Sequence, residues 1–331
     1  MPDLRRTLLV MTCMGVLLAS ACRGSTHAAA PAQRVHIRLQ LNWTHGTEFA
    51  GYYQAIEQGN YQAQGLDVEL IEGGLTADGY VDPTESLRNG RSDFAILTFA
   101  EYQQLLKSEQ HPVVLMGLFQ ISPVALFALQ ETGIETLQDI AGRRVAIISE
   151  PWAQVIHQAL RNIGLSPQDI REMRLNSPDM TPFFTQRVDV WSGYVIDEAV
   201  EAQMEGYRIN LIFPSDYGVN TYEGLLVTTR AYADAHPEIL QGFVSATLQG
   251  WRQALNDPKG TAVLLERQNP AHKRLYYELS LDYLRPLVDT GSVPLGWIDI
   301  NRWQQALGIS SNDPAMIDLD MRYVERAHTQ E

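Results

Sequence analysis

The stretch Val35-His36-Ile37-Arg38-Leu39-Gln40-Leu41 alternates apolar and polar side chains with a period of two, the pattern of a strand with one buried face. Residues 49–58 then read as a helix, Gly65 breaks the chain, and residues 67–71 read as a second strand. Strand, helix and strand in this order mark an α/β fold with a parallel sheet. The alternation continues with a helix at 83–89, a strand at 93–97, a helix at 100–107 and a strand at 113–119. One domain can be built from these segments.

A second series opens with a strand at 124–129, a helix near 137–140, a strand at 144–148 and a helix at 152–163. A short helix at 181–186, a strand at 188–194, a helix at 196–205 and strands at 208–213 and 225–228 complete it. From Pro237 the pattern is almost all helical, with Pro237 at a helix start, where its missing N–H is no loss. There is no internal repeat and no long linker. The expected architecture is two doubly wound α/β lobes, with the chain crossing between them near residues 121–125 and 222–228. Residues 34–122 plus 229–331 would form the first lobe, discontinuous in sequence, and residues 123–228 the second.

Residues 1–21 carry Arg5 and Arg6, then an apolar run at 8–18, then small residues, which is a signal peptide. The run is shorter than the ~20 apolar residues that span a bilayer. It ends in Leu18-Ala19-Ser20-Ala21-Cys22, which resembles a bacterial lipoprotein processing site, with Ala19 where such sites usually carry Leu. Cys22 is therefore expected as the lipidated first residue of the mature chain, with residues 22–33, rich in Ala, Ser, Gly and Pro, as a tether to the membrane.

The only other cysteine, Cys13, lies inside the signal, so the mature body has none for a disulfide, a thiolate metal site or a nucleophile. The whole chain carries a net charge of −14; the signal's Arg5, Arg6 and Asp3 contribute +1, which leaves −15. Such a surface repels nucleic acid and disfavours a multiply charged anionic ligand. The sequence has no G-x-G-x-x-G, no G-x-x-x-x-G-K-S/T, no H-E-x-x-H and no G-x-S-x-G, and its eight histidines are scattered. Neither a cofactor nor a metal is expected. Aromatic residues, in contrast, gather where strands end: Trp43, Phe49, Tyr52, Tyr53, Phe99, Trp152, Trp191, Tyr194 and Tyr222. Ligands of open α/β sheets bind at the carboxyl ends of strands, and a cleft lined in this way could sandwich a flat ring.

A family resemblance rests on ordered segments. Leu41-Asn42-Trp43, Glu48-Phe49-Ala50-Gly51-Tyr52-Tyr53-Gln54-Ala55, Gly59-Asn60-Tyr61 and Gly65-Leu66-Asp67-Val68-Glu69 open it. Gly90-Arg91-Ser92-Asp93-Phe94-Ala95, residues 137–145, residues 189–198 and Gly296-Trp297-Ile298-Asp299 continue it over nearly the whole mature chain. Together they resemble the importer-associated binding proteins for thiamine-precursor pyrimidines and riboflavin, whose superfamily also holds sulfonate, taurine and nitrate binders. The resemblance implies a type II periplasmic-binding-protein fold whose two lobes close on one ligand. It implies an extracytoplasmic, lipid-anchored monomer, in the periplasm or at the cell surface, that hands a small nitrogen heteroaromatic to an ABC permease with a cytoplasmic ATPase. An aliphatic sulfonate or taurine-type anion is the alternative ligand. The rival from another class is the related fungal thiamine-pyrimidine synthase. Its pyridoxal-phosphate lysine would fall at Leu97, its substrate histidine near Glu101 and its cysteine-rich iron segment near residues 219–223. None of those residue types stands there, so the chain is not expected to be an enzyme.

Within this framework Trp43, in the loop after the first strand, is expected to contact ligand. Phe49 and Tyr52 share a helix face, and one is expected to pack inward while the other meets the cleft. Phe99 and Trp152 sit at strand-to-helix turns, although Trp152 behind Pro151 could simply cap its helix. Trp191 and Tyr194 point to opposite sides of their strand, with Tyr194 preferred for the ligand. Glu198 stands where relatives carry an Asn-Glu pair, here Asp197-Glu198. It reads either as an acceptor for ring N–H groups or as a solvated acid at a helix start. Tyr222 and Glu223, at the second crossing, read as ligand contacts or as hinge residues, and His45 as a loop histidine near the mouth.

Overall fold

The computed structural model describes residues 34–329 except 77–78, 108–111, 176, 311, 314–315 and 317. The expected signal peptide, the Cys22 lipidation site and the tether lie outside the described residues. The strands, in chain order, are β1 (Val35–Gln40), β2 (Leu66–Ile71), β3 (Gly74–Thr76), β4 (Gly79–Val81), β5 (Phe94–Leu97), β6 (Pro112–Phe119), β7 (Val124–Leu129), β8 (Arg144–Ile147), β9 (Arg171–Arg174), β10 (Trp191–Tyr194), β11 (Ile209–Ile212) and β12 (Glu223–Thr229).

Two sheets share one plan. In the first, the order is β2-β1-β5-β12-β6, with β1 parallel to β2 and β5, and β12 antiparallel to β5 and β6. In the second, β7 lies antiparallel between β10 and β11, β8 pairs with β9 in parallel, and a parallel bridge from Val145 to Val190 joins β8 to the start of β10. Each sheet thus takes its antiparallel strand from the segment where the chain arrives from the other sheet. Strands β5, β6 and β7 are buried at every position, as continuous apolar runs covered on both faces should be, whereas β1 begins with two exposed residues.

An aspartate locks each sheet in the same way. Asp93, one residue before β5, accepts the Arg38 backbone N–H at 2.8 Å and the guanidinium of Arg38 at 2.9 Å. Asp189 does the same for Arg144 at 2.8 and 2.6 Å. The first sheet is covered by the helix Ala50–Glu57, on which the long helix Pro237–Asn256 packs. They cross at two glycines: a Cβ on Gly250 would fall 2.2 Å from the Gly51 carbonyl oxygen, so the backbones approach closer than any side chain permits.

Three expectations are corrected. The second crossing is earlier than residues 222–228, because β12 is an inner strand of the first sheet, so the chain has already returned by Glu223. The expected strand at 188–194 forms only over β10, its first residues being held through the Val190 bridge. Strand β9 and the β3–β4 hairpin were not expected. The sequence Arg-Glu-Met-Arg of β9 carries almost no apolar pattern and is a strand by virtue of pairing with β8.

Candidate functional site

Above the first sheet, the turn after β1 presents Trp43, whose ring lies 6.4 Å from that of Tyr80 on β4. The Tyr80 hydroxyl lies 3.0 Å from the Asn42 carbonyl and 2.5 Å from Glu101 Oε1. Glu101 belongs to a capping box that starts the helix Phe99–Leu105: its Oε2 accepts from the Thr98 N–H and hydroxyl, and the Thr98 hydroxyl accepts the Glu101 N–H. Glu223, which opens β12, accepts the Phe99 N–H at 3.2 Å. Glu48 sits in the short 3-10 turn Thr47–Phe49 and is 7% exposed.

The second sheet contributes the end of β10. Tyr194 stacks on Trp152 with centroids 5.6 Å apart and planes 28° apart, and it meets the edge of Phe119 from the first sheet at 6.5 Å. Its N–H donates to Glu198 Oε2 at 2.8 Å. The Glu198 carboxyl is seated on Gly193, where a Cβ would come within 2.6 Å of it, so only glycine leaves it room. The neighbouring Asp197 accepts the Tyr276 hydroxyl at 2.9 Å.

These acids feel one another. Burial, followed by the charges of Asp197, Glu101, Glu223 and Glu198, holds the Glu48 carboxyl well above the usual range. Burial lifts Glu101 as well. Glu223 is pushed up to about 8, by burial and then by Glu101. Glu198 is also pushed to about 8, by burial and then by Asp197, and burial carries Asp197 to about 6. The Tyr194 hydroxyl is raised too, first by burial and then by Glu223, Glu48 and Glu101. Carboxylates from both sheets therefore share one low-dielectric space with Trp43, Tyr80, Trp152 and Tyr194. Clustered perturbed acids beside aromatic faces mark a ligand site more often than a structural one.

Of the residues expected here from sequence, Trp43, Trp152, Tyr194, Glu198 and Glu223 lie in this group. Phe49 and Tyr52 do not: both are buried in the core of the first sheet, Phe49 at the end of the 3-10 turn rather than on the helix, and Tyr52 on the helix Ala50–Glu57, edge-on to Trp251 of the long helix that packs against it. Phe99 turns its ring into the core against Trp303 and offers only its N–H. Tyr222 lies beneath Arg302, whose guanidinium carbon is 4.0 Å from the ring centre, and its oxygen accepts the Asp299 N–H. Arg302 also donates to the carbonyls of Gln120 and Thr221, so it ties both chain crossings together, and Tyr222 serves that clasp. A cavity of about 340 Å³ at these crossings, walled in part by Gln120, Phe213 and Asn220, includes none of the carboxylates or rings above. Glu48, Glu101 and Tyr80 join this group without having been expected from the sequence as candidate contacts.

Two mixed sheets that exchange their antiparallel strands, with binding groups at the strand ends between them, define a periplasmic-binding-protein fold. The alkanesulfonate-binding protein SsuA from Xanthomonas axonopodis pv. citri has the same fold, with a TM-score of 0.64 at 16% identity over 88% of this chain and 99% of that one. The chain belongs to the NMT1/THI5-like family, which it matches over residues 46–261. It is 24% identical to the formylaminopyrimidine-binding protein of Halalkalibacterium halodurans, over 90% of this chain and 91% of that protein. It is 25% identical to the riboflavin-binding protein RibY of Chloroflexus aurantiacus, over 73% and 72%. The 4-amino-5-hydroxymethyl-2-methylpyrimidine phosphate synthase of Legionella pneumophila is 22% identical over 85% of this chain and 89% of its own length.

Proposed function

We propose that this protein is the solute-binding component of an ABC importer and captures a small nitrogen heteroaromatic, of the pyrimidine or flavin kind, between its two sheets. The observation that carries the reading is the Trp152–Tyr194 stack set beside Trp43 and Tyr80, with carboxylates from both sheets at its edge. Rings bind such faces by offset stacking, and ring or amino N–H groups donate to carboxylates. The relatives named for formylaminopyrimidine and riboflavin support this class of ligand. The charges that act most on Glu48, Glu223 and Asp197 are other acids and include neither lysine nor arginine, so the lining offers a sulfonate no positive partner, which argues against the anionic alternative. Enzymatic turnover is disfavoured, because the position of the synthases' lysine is Leu97, a fully buried residue that closes β5. On this reading the protein works outside the cytoplasm as a monomer, held to a membrane through lipidated Cys22, and delivers ligand to a permease. Native mass spectrometry of protein purified from its own source tests the reading. A co-purifying heteroaromatic supports it, and an organic sulfonate in its place overturns it. Cys22→Ala should move the protein from the membrane fraction to the soluble extracytoplasmic fraction; an unchanged membrane fraction would reject the anchor.

A further inference from the structure

The protein supplies a hydrogen-bond donor to four of the five carboxylates. Glu101 has the Tyr80 hydroxyl and Thr98, Glu223 the Phe99 N–H, Glu198 the Tyr194 N–H, and Asp197 the Tyr276 hydroxyl. Glu48 receives none from the described residues, although it is 7% exposed and the charges that act on it most are the other four acids. Two neutral groups in these turns also lack a partner. The Thr47 hydroxyl, in the same turn, and Asn42 Oδ1, beside the carbonyl that anchors Tyr80, are enclosed without a hydrogen-bond partner among the described residues. A carboxylate kept from water is compensated by a proton, by a donor or by a cation. Among the described residues, the groups that shift Glu48, Glu223 and Asp197 include neither lysine nor arginine.

We infer that the molecule bound in this cleft is an aromatic cation and that Glu48 selects for its positive charge, an inference that rests on the ring-binding reading above. The aromatic faces favour the same ligand, since a cation is drawn to the face of tryptophan or tyrosine. A neutral heterocycle would fill the space between the rings and leave Glu48 only its proton, whereas an ammonium or protonated amidine replaces that proton with a donor and a positive charge together.

Calorimetric titration with three pyrimidines that differ in one substituent tests this. The probes are 4-amino-2-methylpyrimidine carrying at C5 an aminomethyl group (cationic), a hydroxymethyl group (neutral) or a carboxylate (anionic). The wild-type protein should bind the cationic probe at least about tenfold more tightly than the neutral one, about 1.4 kcal/mol, and the anionic probe more weakly than either. Glu48→Gln, which keeps shape and removes charge, should bring the cationic and neutral probes to within about threefold of each other. Equal binding of cationic and neutral probes by the wild type overturns the inference while leaving the ring-binding reading intact, and this comparison does not depend on the variant folding. A cation preference that survives Glu48→Gln undiminished removes Glu48 from the role. Failure of all three probes to bind removes the pyrimidine reading and this inference with it.

Discussion

Trp43 and Tyr52 show how differently two aromatic side chains of one motif can be employed. Trp43 is 36% exposed beside Tyr80, whereas Tyr52 is enclosed by the core and braced by Trp251. Trp43→Ala should therefore leave unfolding of the empty protein nearly unchanged, within about 1 kcal/mol. It should weaken ligand binding about tenfold or more, since it loses stacking worth ~0.5 to 1.5 kcal/mol as well as buried area. Tyr52→Ala should do the reverse, costing roughly 3 kcal/mol or more of stability through the cavity it leaves. Titration and thermal unfolding of the pair check both, and a large stability loss for Trp43→Ala with unaltered affinity would place that ring in the core. Sequence pattern showed that rings gather where strands end but could not say which face each one takes. Whether Tyr52 meets ligand or the helix Pro237–Asn256 depends on packing between segments about 200 residues apart. For Glu48 and Glu101 the obstacle was different: each is an ordinary acid in its local sequence and becomes unusual only when the fold gathers it with the others.

At the scale of elements, the paired aspartate locks explain why the two sheets could be read so well from sequence. Asp93 stands one residue before β5 and Asp189 two before β10, and each binds the backbone and guanidinium of an arginine in the neighbouring strand, so a short motif fixes which strands are adjacent. These are bidentate, charge-assisted bonds in partly buried places, stronger than an exposed ion pair. Asp93→Ala should lower the free energy of unfolding by about 1.5 to 3 kcal/mol, because it strips a backbone N–H and a guanidinium of their acceptor together. Urea unfolding reads this directly, and a loss below about 0.5 kcal/mol would show that the lock is incidental. Strands without such a signature were the ones misjudged. Strand β9 has polar side chains on an edge, and β12 reads as the last strand of one lobe but folds as an inner strand of the other, since nothing local distinguishes a strand that ends a crossing from one that begins it.

For the whole molecule, the shared acidic space couples stability to pH in a direction opposite to that of most carboxylates. Asp189, Asp320 and Glu172 are held below their ordinary range by Arg144, by Arg322, and by His157 with Arg174 respectively. They contribute stability above the ordinary carboxylate range, and that contribution is lost only in acid. Glu223 and Glu198 titrate near 8 in the folded protein against 4.5 in an open chain, and Asp197 near 6 against 3.8. Between those values the folded state holds more protons than the unfolded one, so the contribution of these three is fully present below the open-chain values and is lost as pH rises through 6 and then 8. Glu48 and Glu101, raised in the same space, act in the same direction. Among the described residues His272, whose pKa is lowered by partial desolvation, pulls the other way over part of this window. Calorimetric unfolding of the ligand-free protein should therefore show a midpoint that falls steadily from about pH 5.5 to about pH 8.5. Glu223→Gln, whose carbonyl can still accept the Phe99 N–H, should flatten the upper part of that slope and raise the midpoint at the alkaline end relative to wild type. A midpoint that is level or rises over the same range, or a Glu223→Gln profile parallel to the wild type, would mean that the carboxylates do not share the closed, water-poor space on which their coupling depends.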